Sequence, residues 1–393
     1  MALGLISNII IVRKLSVEEF GVFSVALLVV NLITTFGFSW SSSSIVYFGS
    51  REMEQHGVLT KTFWSRNIII FSSLLIVTLG IILFRNQINN YIGLNIWYLL
   101  ILWLYVSVFE DYLVQYFLAV KKQILSSLLS ITAKLIYILL IIIIPLDVIS
   151  LIILYIVGHS SVVLYILGIK KSDIGKFTFD KDWFRKVLNF SLWQLFGFSG
   201  IYLLNFGDIA VVKHYMTDAD VGIYNAAYQL FIAIVAFSFV VSNYYAPNVS
   251  AYFAGHNKEK VKHFYYKERI FIFFICLFGH LLAIILSKPI ITALYSDAYL
   301  PAVPIFNILM IGSMMRHMTV FYTLYYNTNG KHQIQQTINI LVALVNVALS
   351  IIFINLFGIQ GPAWATVLTI MLSLLFSMYY CERRIKSFIR EGV

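Results

Sequence analysis

The sequence has little charge, little cysteine and little proline. Only 12% of its 393 residues are charged, and it contains two cysteines and six prolines. Since soluble domains carry about 25% charged residues, a fold that is stable in water is not expected. Two cysteines give no disulfide framework. No GxxxxGK[ST] loop occurs, so we expect neither a cofactor nor ATP hydrolysis by this chain.

Long apolar stretches take the place of the missing charge. Sixty per cent of the residues are hydrophobic and the mean hydropathy is +0.85. Stretches long enough to cross a bilayer cover residues 21–45, 67–84, 95–119, 126–144, 148–169, 187–212, 221–246, 270–287, 303–326, 334–356 and 360–381. A shorter apolar run covers 1–12, and its rise of about 18 Å is less than the ~30 Å hydrocarbon core. The pattern predicts an all-α polytopic membrane protein of about 12 helices, the first one short.

The basic residues predict the orientation in the membrane. With Met1 placed in the cytoplasm and twelve spans following it, 21 of the 28 lysines and arginines fall on the cytoplasmic side and five on the outside. Such a bias follows the positive-inside rule, and it places both termini in the cytoplasm. The net charge of +10 is then charge beside anionic lipid, and no nucleic-acid partner is expected.

Short segments recur in the two halves of the chain. "EFGVFSVA" (19–26) is echoed by "DVGIYNAA" (220–227), and "KKQI" (121–124) by "KHQI" (331–334), at offsets of about 201 and 210. Matching segments in the same order predict a parallel repeat of six helices. We therefore expect an N-terminal lobe at 1–169, a cytoplasmic linker at 170–186 and a C-terminal lobe at 187–393.

Polar and charged residues inside the spans mark candidate functional positions, because a helix that faces only lipid has no use for them. Lys134 lies in the middle of a span, and two interpretations are open: an ion pair with Asp111 or Glu110, or a contact to an anionic ligand in a wet cavity. Arg316 has no acid at its depth in the neighbouring span, which favours an anionic ligand. Asp208 is the candidate for a coupling-ion or proton site, or else pairs with Lys213 or Arg316.

Five segments resemble, in the same order, the bacterial polysaccharide-biosynthesis flippases of the multidrug/oligosaccharidyl-lipid/polysaccharide exporter superfamily. They are "RKLSVEEFGVFSVALLVVNLI", "NFGDIAVVKHYMTDADVGIYNAAYQL", "SDAYLPAVPIFNILMIGS", "NTNGKHQIQ" and "LFGIQGPAWATVLTIM". The resemblance covers almost the whole chain. It implies two six-helix lobes around a central cavity, in the bacterial inner membrane.

The resemblance also implies a function. Such proteins carry undecaprenyl-pyrophosphate-linked oligosaccharides across the membrane by alternating access, for O-antigen or capsule biosynthesis, in contact with inner-membrane lipids. A polysaccharide polymerase and a chain-length regulator are the protein partners it suggests. The candidate pyrophosphate contacts are Lys134, Arg316, Arg13 and Lys213. Arg13 occupies the family's basic position before an "LG" turn that here reads "LS", and the short first span puts its role in question.

Three other functions are alternatives to transport of a lipid-linked oligosaccharide. A cation-coupled multidrug antiporter of the same superfamily would share the fold and would favour acids in its cavity. A membrane glycosyltransferase or polymerase is expected to carry acidic motifs on a large outer loop, and every predicted outer loop is short. A membrane protein with no transport function is the third.

Overall fold

The structure is a computed structural model that describes residues 2–169 and 174–390. The first four residues of the predicted linker, 170–173, lie outside the described part. By their internal contacts the residues form two compact units, one at Ala2–Tyr202 and the other beginning at Leu203. The predicted division into lobes and linker remains a prediction.

Helices make up nearly all of the described chain. The first unit contains α1 (Ala2–Lys14), α2 (Val17–Gly37), α3 (Ser42–His56), α4 (Lys61–Leu83), α5 (Arg85–Ile92), α6 (Trp97–Ala119), α7 (Gln123–Ile143) and α8 (Val148–Ile169). Helix α9 (Lys181–Tyr215) starts in this unit and continues into the next. The second unit adds α10 (Asp218–Ala254), α11 (Lys258–His263), α12 (Arg269–Ile285), α13 (Ser287–Leu294), α14 (Ala302–Thr328), α15 (His332–Phe357) and α16 (Gly361–Arg390).

Every apolar stretch found in the sequence is largely helical, so the predicted all-α class is confirmed. Within the described residues, eight helical segments are long and apolar enough to cross a membrane, or nine if the bent helix α9 is one span. The short first run is helix α1, with 13 residues.

One predicted span is not continuous. The stretch 21–45 divides into α2 and α3, joined by a 3₁₀ turn at Ser39–Ser41. The cause is local, since "FSWSSSS" supplies hydroxyls that compete for backbone carbonyls. Ser41 Oγ donates to Phe38 O at 2.9 Å, and Ser44 Oγ donates to Ser41 O at 2.6 Å.

The two units begin their second helix in the same way. Ser16 and Glu19 form a complete capping box at the start of α2, and Thr217 and Asp220 form another at the start of α10. In each box the hydroxyl accepts the backbone N–H three residues later, and the acid accepts the N–H of the capping residue. The matching sequence segments therefore fold into matching caps.

A strap of extended chain, residues 174–180, lies on the loop that precedes α4. Gly175 N–H donates to Leu59 O at 2.9 Å, and Lys61 Nζ bonds Asp180 at 2.7 Å. Trp183, at the start of α9, donates its indole N–H to Thr62 Oγ1 at 3.0 Å. These contacts hold the described part of the predicted linker against the first unit.

Candidate functional site

Asp208 is the best-defined polar site in the second unit. Its side chain is 3% exposed, on a helix long enough to cross the membrane. Its carboxylate accepts hydrogen bonds from three hydroxyls that come from three other helices. The donors are Tyr224 Oη at 2.8 Å, Thr366 Oγ1 at 2.6 Å and Ser350 Oγ at 2.9 Å. Four helices, α9, α10, α15 and α16, therefore meet at one carboxyl group.

Asn346 completes the set of polar groups around Asp208. It lies one turn before Ser350 on α15, and its amide reaches to 3.1 Å from Asp208 Oδ1, where the NH₂ group can donate. The close approach of the helices depends on Gly207, because a Cβ there would lie 2.9 Å from a methyl group of Val347. We refer to Asp208, Tyr224, Asn346, Ser350 and Thr366 as the Asp208 cluster.

The Asp208 cluster holds one acid and no base. Neither Lys213 nor Arg316 pairs with Asp208 in the described structure, so that alternative from the sequence is not realised. Lys213 bonds Asp218 instead, at 2.6 Å. A carboxyl group that faces only neutral oxygens and an amide can bind a proton, or a small cation that prefers oxygen ligands. No group of three or more His, Cys, Asp or Glu suited to a metal occurs in the described residues.

Arg316 lies on α14 and is partly buried. None of the described acids forms an ion pair with it. A guanidinium inside a span without a carboxylate partner is costly, and it offers five N–H donors to an anion. The role of Arg316 as an anion ligand stays a prediction.

Lys134 lies on α7 with an exposed side chain, and no ion pair to it is present among the described residues. The predicted pairing with Asp111 or Glu110 is not formed, because both acids have other partners. Glu110 bonds the imidazole of His159, which joins α6 to α8. Asp111 accepts from Ser42 Oγ at 2.6 Å. The contact of Lys134 to an anionic ligand stays a prediction.

Asp111 lies beside a buried arginine that stands one residue before the predicted span 67–84. Arg66 on α4 is 1% exposed, and its Nη2 lies 3.7 Å from Asp111 Oδ2 and 3.4 Å from Ser42 Oγ. Its guanidinium carbon stacks 4.8 Å from the centre of the Tyr112 ring. These contacts join α3, α4 and α6.

The second unit contains a matching arginine. Arg269 bonds Glu382 and the hydroxyl of Tyr322, and its guanidinium carbon lies 5.4 Å from the Tyr322 ring centre. Arg66 and Arg269 are 203 positions apart, and Tyr112 and Tyr322 are 210 apart. The offsets of the sequence repeat could therefore have identified both arginine–tyrosine pairs in advance.

Arg13 and Lys213 lie at helix ends. Arg13 is exposed near the end of α1. Its neighbour Lys14 donates to Ile142 O at 2.7 Å and to Ile144 O at 3.2 Å, so it caps the end of α7. Lys213 is engaged by Asp218 at the end of α9, and the roles of Arg13 and Lys213 as phosphate contacts stay predictions.

Comparisons with known proteins agree on the architecture. A family model described as polysaccharide biosynthesis protein matches residues 1–253. A solved structure titled "Lipid II flippase MurJ, inward closed conformation" is similar at a TM-score of 0.75 and 19% identity, over 99% of this chain and 87% of that one. An inward-facing multidrug resistance MATE family transporter of the MOP superfamily is similar at a TM-score of 0.74 and 15% identity, over 100% and 96% of the two chains.

A search of curated proteins gave no significant match. At these identities the solved structures establish the fold alone, which is the multi-helix membrane transporter fold expected from the sequence. They do not distinguish a flippase from a multidrug transporter, since both kinds share it.

Proposed function

The chain belongs to the polysaccharide biosynthesis protein family, and from that premise we propose that it moves undecaprenyl-pyrophosphate-linked oligosaccharides across the bacterial inner membrane. Transport would proceed by alternating access, and the cargo would be a repeat unit of O-antigen or capsule. Both termini would lie in the cytoplasm, as the distribution of basic residues predicts. A polysaccharide polymerase and a chain-length regulator would act on the delivered product.

The observation that supports an anionic cargo is the positive charge of Arg316 and Lys134 inside membrane helices. Each lies within a membrane helix, and neither is neutralised by an acid in the described structure. A pyrophosphate would supply the missing negative charge, while its polyprenyl tail stays in lipid. A charge-assisted hydrogen bond is worth about 1.5–3 kcal/mol, which corresponds to roughly 10- to 100-fold in affinity. Arg316 is the stronger candidate, because it is the more buried of the two.

The Asp208 cluster supports coupling of this transport to an ion. A buried carboxyl group with neutral donors changes its charge when it takes up a proton or a cation, and such groups mark ion pathways in membrane proteins. Its oxygens come from four helices of one unit. Occupancy of the cluster would therefore alter how those helices pack, and ion binding would be linked to the conformation of the second unit.

A multidrug antiporter of the same superfamily is the second candidate function. The structural similarity to MATE transporters is as compatible with this activity as with a flippase. An antiporter for cationic drugs would be opposed by Arg316 and Lys134, since unpaired positive charge repels such substrates. Neither the family match nor the transporter-like fold supports a membrane glycosyltransferase or polymerase.

The decisive experiment reconstitutes the chain in liposomes with a lipid-linked oligosaccharide and reads its arrival outside with a lectin. We expect wild-type protein to move the lipid, and Arg316→Ala to reduce the rate at least about tenfold. Arg316→Lys should retain part of the rate because it keeps the charge. Lys288→Ala removes an exposed lysine of α13 and serves as the control. Transport of a cationic dye but not of the lipid would establish the antiporter instead.

A further inference from the structure

Another polar site of the molecule lies in the first unit, at the end of α4. Lys61 marks the other end of that helix. A cavity of about 880 Å³ opens at this site around the short helix α5 and the loop that leads to α6. Four of its eight lining residues are asparagines, and an arginine and a tryptophan are among the others. In the predicted topology this end faces the outside. The Asp208 cluster lies in the other unit, so the two sites are separate.

The scaffold of this cavity is held by Asn89. Its Oδ1 accepts the backbone N–H groups of Ile96 at 3.1 Å and Trp97 at 3.2 Å, which lie at the start of α6. Its Nδ2 donates to Asn95 Oδ1 at 2.8 Å. The bonds fix the 93–96 loop against α5, where Gly93 ends the helix with a φ of 87°. Asn89 therefore has a structural role, because its hydrogen bonds hold in place the loop and the helices that carry the other polar groups.

The remaining polar side chains of the cavity are exposed. Arg85, Asn86 and Asn90 line it with exposed side chains, and Asn86 and Asn90 are one helical turn apart on the same face of α5. The partly exposed indole of Trp97 forms a further wall. Together they present two primary amides, a guanidinium and an aromatic surface to one space.

The fold does not require these polar groups. The second unit has a short helix of the same length at the corresponding position, α13, between α12 and α14. Its sequence is "SKPIITAL", whereas α5 reads "RNQINNYI". With the two helices aligned end to end, Lys288 and Thr292 stand where α5 has Asn86 and Asn90, so a short helix of this kind needs no amide at either position. Asn86 and Asn90 are thus an addition to the scaffold and need another explanation.

We propose that the α5 cavity is an oligosaccharide-binding subsite. A primary amide donates and accepts at once, which suits the adjacent hydroxyls of a sugar. An aromatic face packs against the apolar C–H face of a pyranose ring, and Arg85 suits a carboxylate or phosphate substituent. The volume is within the roughly 300–1,000 Å³ of ligand sites. The subsite rests on the proposed function, and it would receive the saccharide once it reaches the outer side.

The test measures binding of a soluble sugar. The probe is the oligosaccharide released by mild acid from the lipid-linked repeat unit of the producing cell, added to the full chain in nanodiscs. Saturation-transfer NMR should show contact with the wild-type protein. Asn86→Ala with Asn90→Ala should weaken binding about tenfold, the effect of losing two neutral hydrogen bonds. Gln87→Ala alters an exposed neighbour on α5 that does not line the cavity, and it should bind as the wild type does.

Three results would overturn the subsite: no contact of the probe with wild type, equal binding by the double variant, or displacement of the probe by glycerol phosphate, which would assign the cavity to a lipid headgroup. The lectin assay keeps this proposal separate from the transport proposal. If the wild-type chain moves the lipid-linked oligosaccharide but the double variant binds the free sugar normally, the transport proposal stands and the subsite proposal fails. If the chain binds the sugar through these asparagines but moves no lipid, the subsite proposal stands and the transport proposal fails.

Discussion

Replacing Asp208 by asparagine separates a coupling role from a structural one. Asparagine has nearly the same shape, and its carbonyl oxygen can still accept the hydroxyls of Tyr224 and Thr366, which both donate to Oδ2 at 2.8 and 2.6 Å. Its NH₂ group can donate to Ser350, whose hydroxyl is able to accept. The packing of the four helices should therefore survive.

The expected change in the free energy of unfolding is small enough for the helix packing to survive in Asp208→Asn. Changing a charge-assisted hydrogen bond to a neutral one costs about 1–2 kcal/mol, and two or three such bonds are affected in Asp208→Asn. The loss is offset because a neutral side chain does not bear the cost of burying a charge. We expect a net change within about 2 kcal/mol, or a few degrees in Tm.

Asp208→Leu is the contrasting variant, because it removes every acceptor. The hydroxyls of Ser350 and Thr366 can turn back to helix carbonyls, but the fully buried Tyr224 hydroxyl is left without a partner. A buried group of this kind costs about 1–3 kcal/mol, and the change of shape adds more. This variant should unfold at a clearly lower temperature than Asp208→Asn.

The assay compares transport in liposomes under imposed sodium or proton gradients. Asp208→Asn should fold and bind cargo, yet its rate should no longer respond to whichever gradient drives the wild type. If the asparagine variant keeps the full gradient response, Asp208 has no coupling role and the cluster is only interhelical bonding. If it fails to fold while Asp208→Leu folds, the hydrogen-bond reasoning itself is wrong.

Three other perturbations test the fold. Glu382→Gln should cost about 2–3 kcal/mol in thermal unfolding, because Arg269 loses a largely buried counter-charge; an unchanged Tm would contradict this. Gly361→Ala should abolish accumulation of folded protein, since a Cβ there would lie 2.3 Å from the backbone of α15, whereas Gly279→Ala has open space and should be neutral. The lysine bonded to Asp180 lowers the pKa of that carboxyl. The strap contact is therefore present above about pH 4 and lost as the pH falls through the lowered pKa. The protection of the 174–180 amides, measured as exchange relative to the intrinsic rate at each pH, should fall at low pH, and Asp180→Asn should remove that step.

Most of the fold could be predicted from the sequence, because membrane helices need long apolar stretches and these stand out in a chain with so little charge. The break after Gly37 was missed, because a run of serines is polar but short, and hydropathy averages over it. The short helices α5 and α13 were missed for the related reason that they lie beyond the ends of the apolar stretches.

The candidate site was harder to predict. Asp208 was identified, since an acid in a span is rare, but its partners were not, because the three hydroxyls lie 16, 142 and 158 residues away. An ion pair of Lys134 with Asp111 or Glu110 was one of the interpretations open from the sequence, because the residues lie at equal depth in neighbouring spans. Depth does not fix the direction in which a side chain points around a helix, and Asp111 lies toward α3 and Arg66 instead.

The repeat separates residues that build the scaffold from residues that carry a task. Features present in both halves are those that any such unit needs: the capping boxes at Ser16 and Thr217, and the buried arginines Arg66 and Arg269 stacked on tyrosines. At the offset of 200 that relates Arg13 to Lys213, Asp208 corresponds to an asparagine. With α5 and α13 aligned end to end, Asn86 and Asn90 correspond to Lys288 and Thr292. Since the same scaffold forms with either choice, stability alone does not select the acid in one unit or the amides in the other. Differences between two halves of one fold are thus where ion coupling and sugar recognition should be sought first.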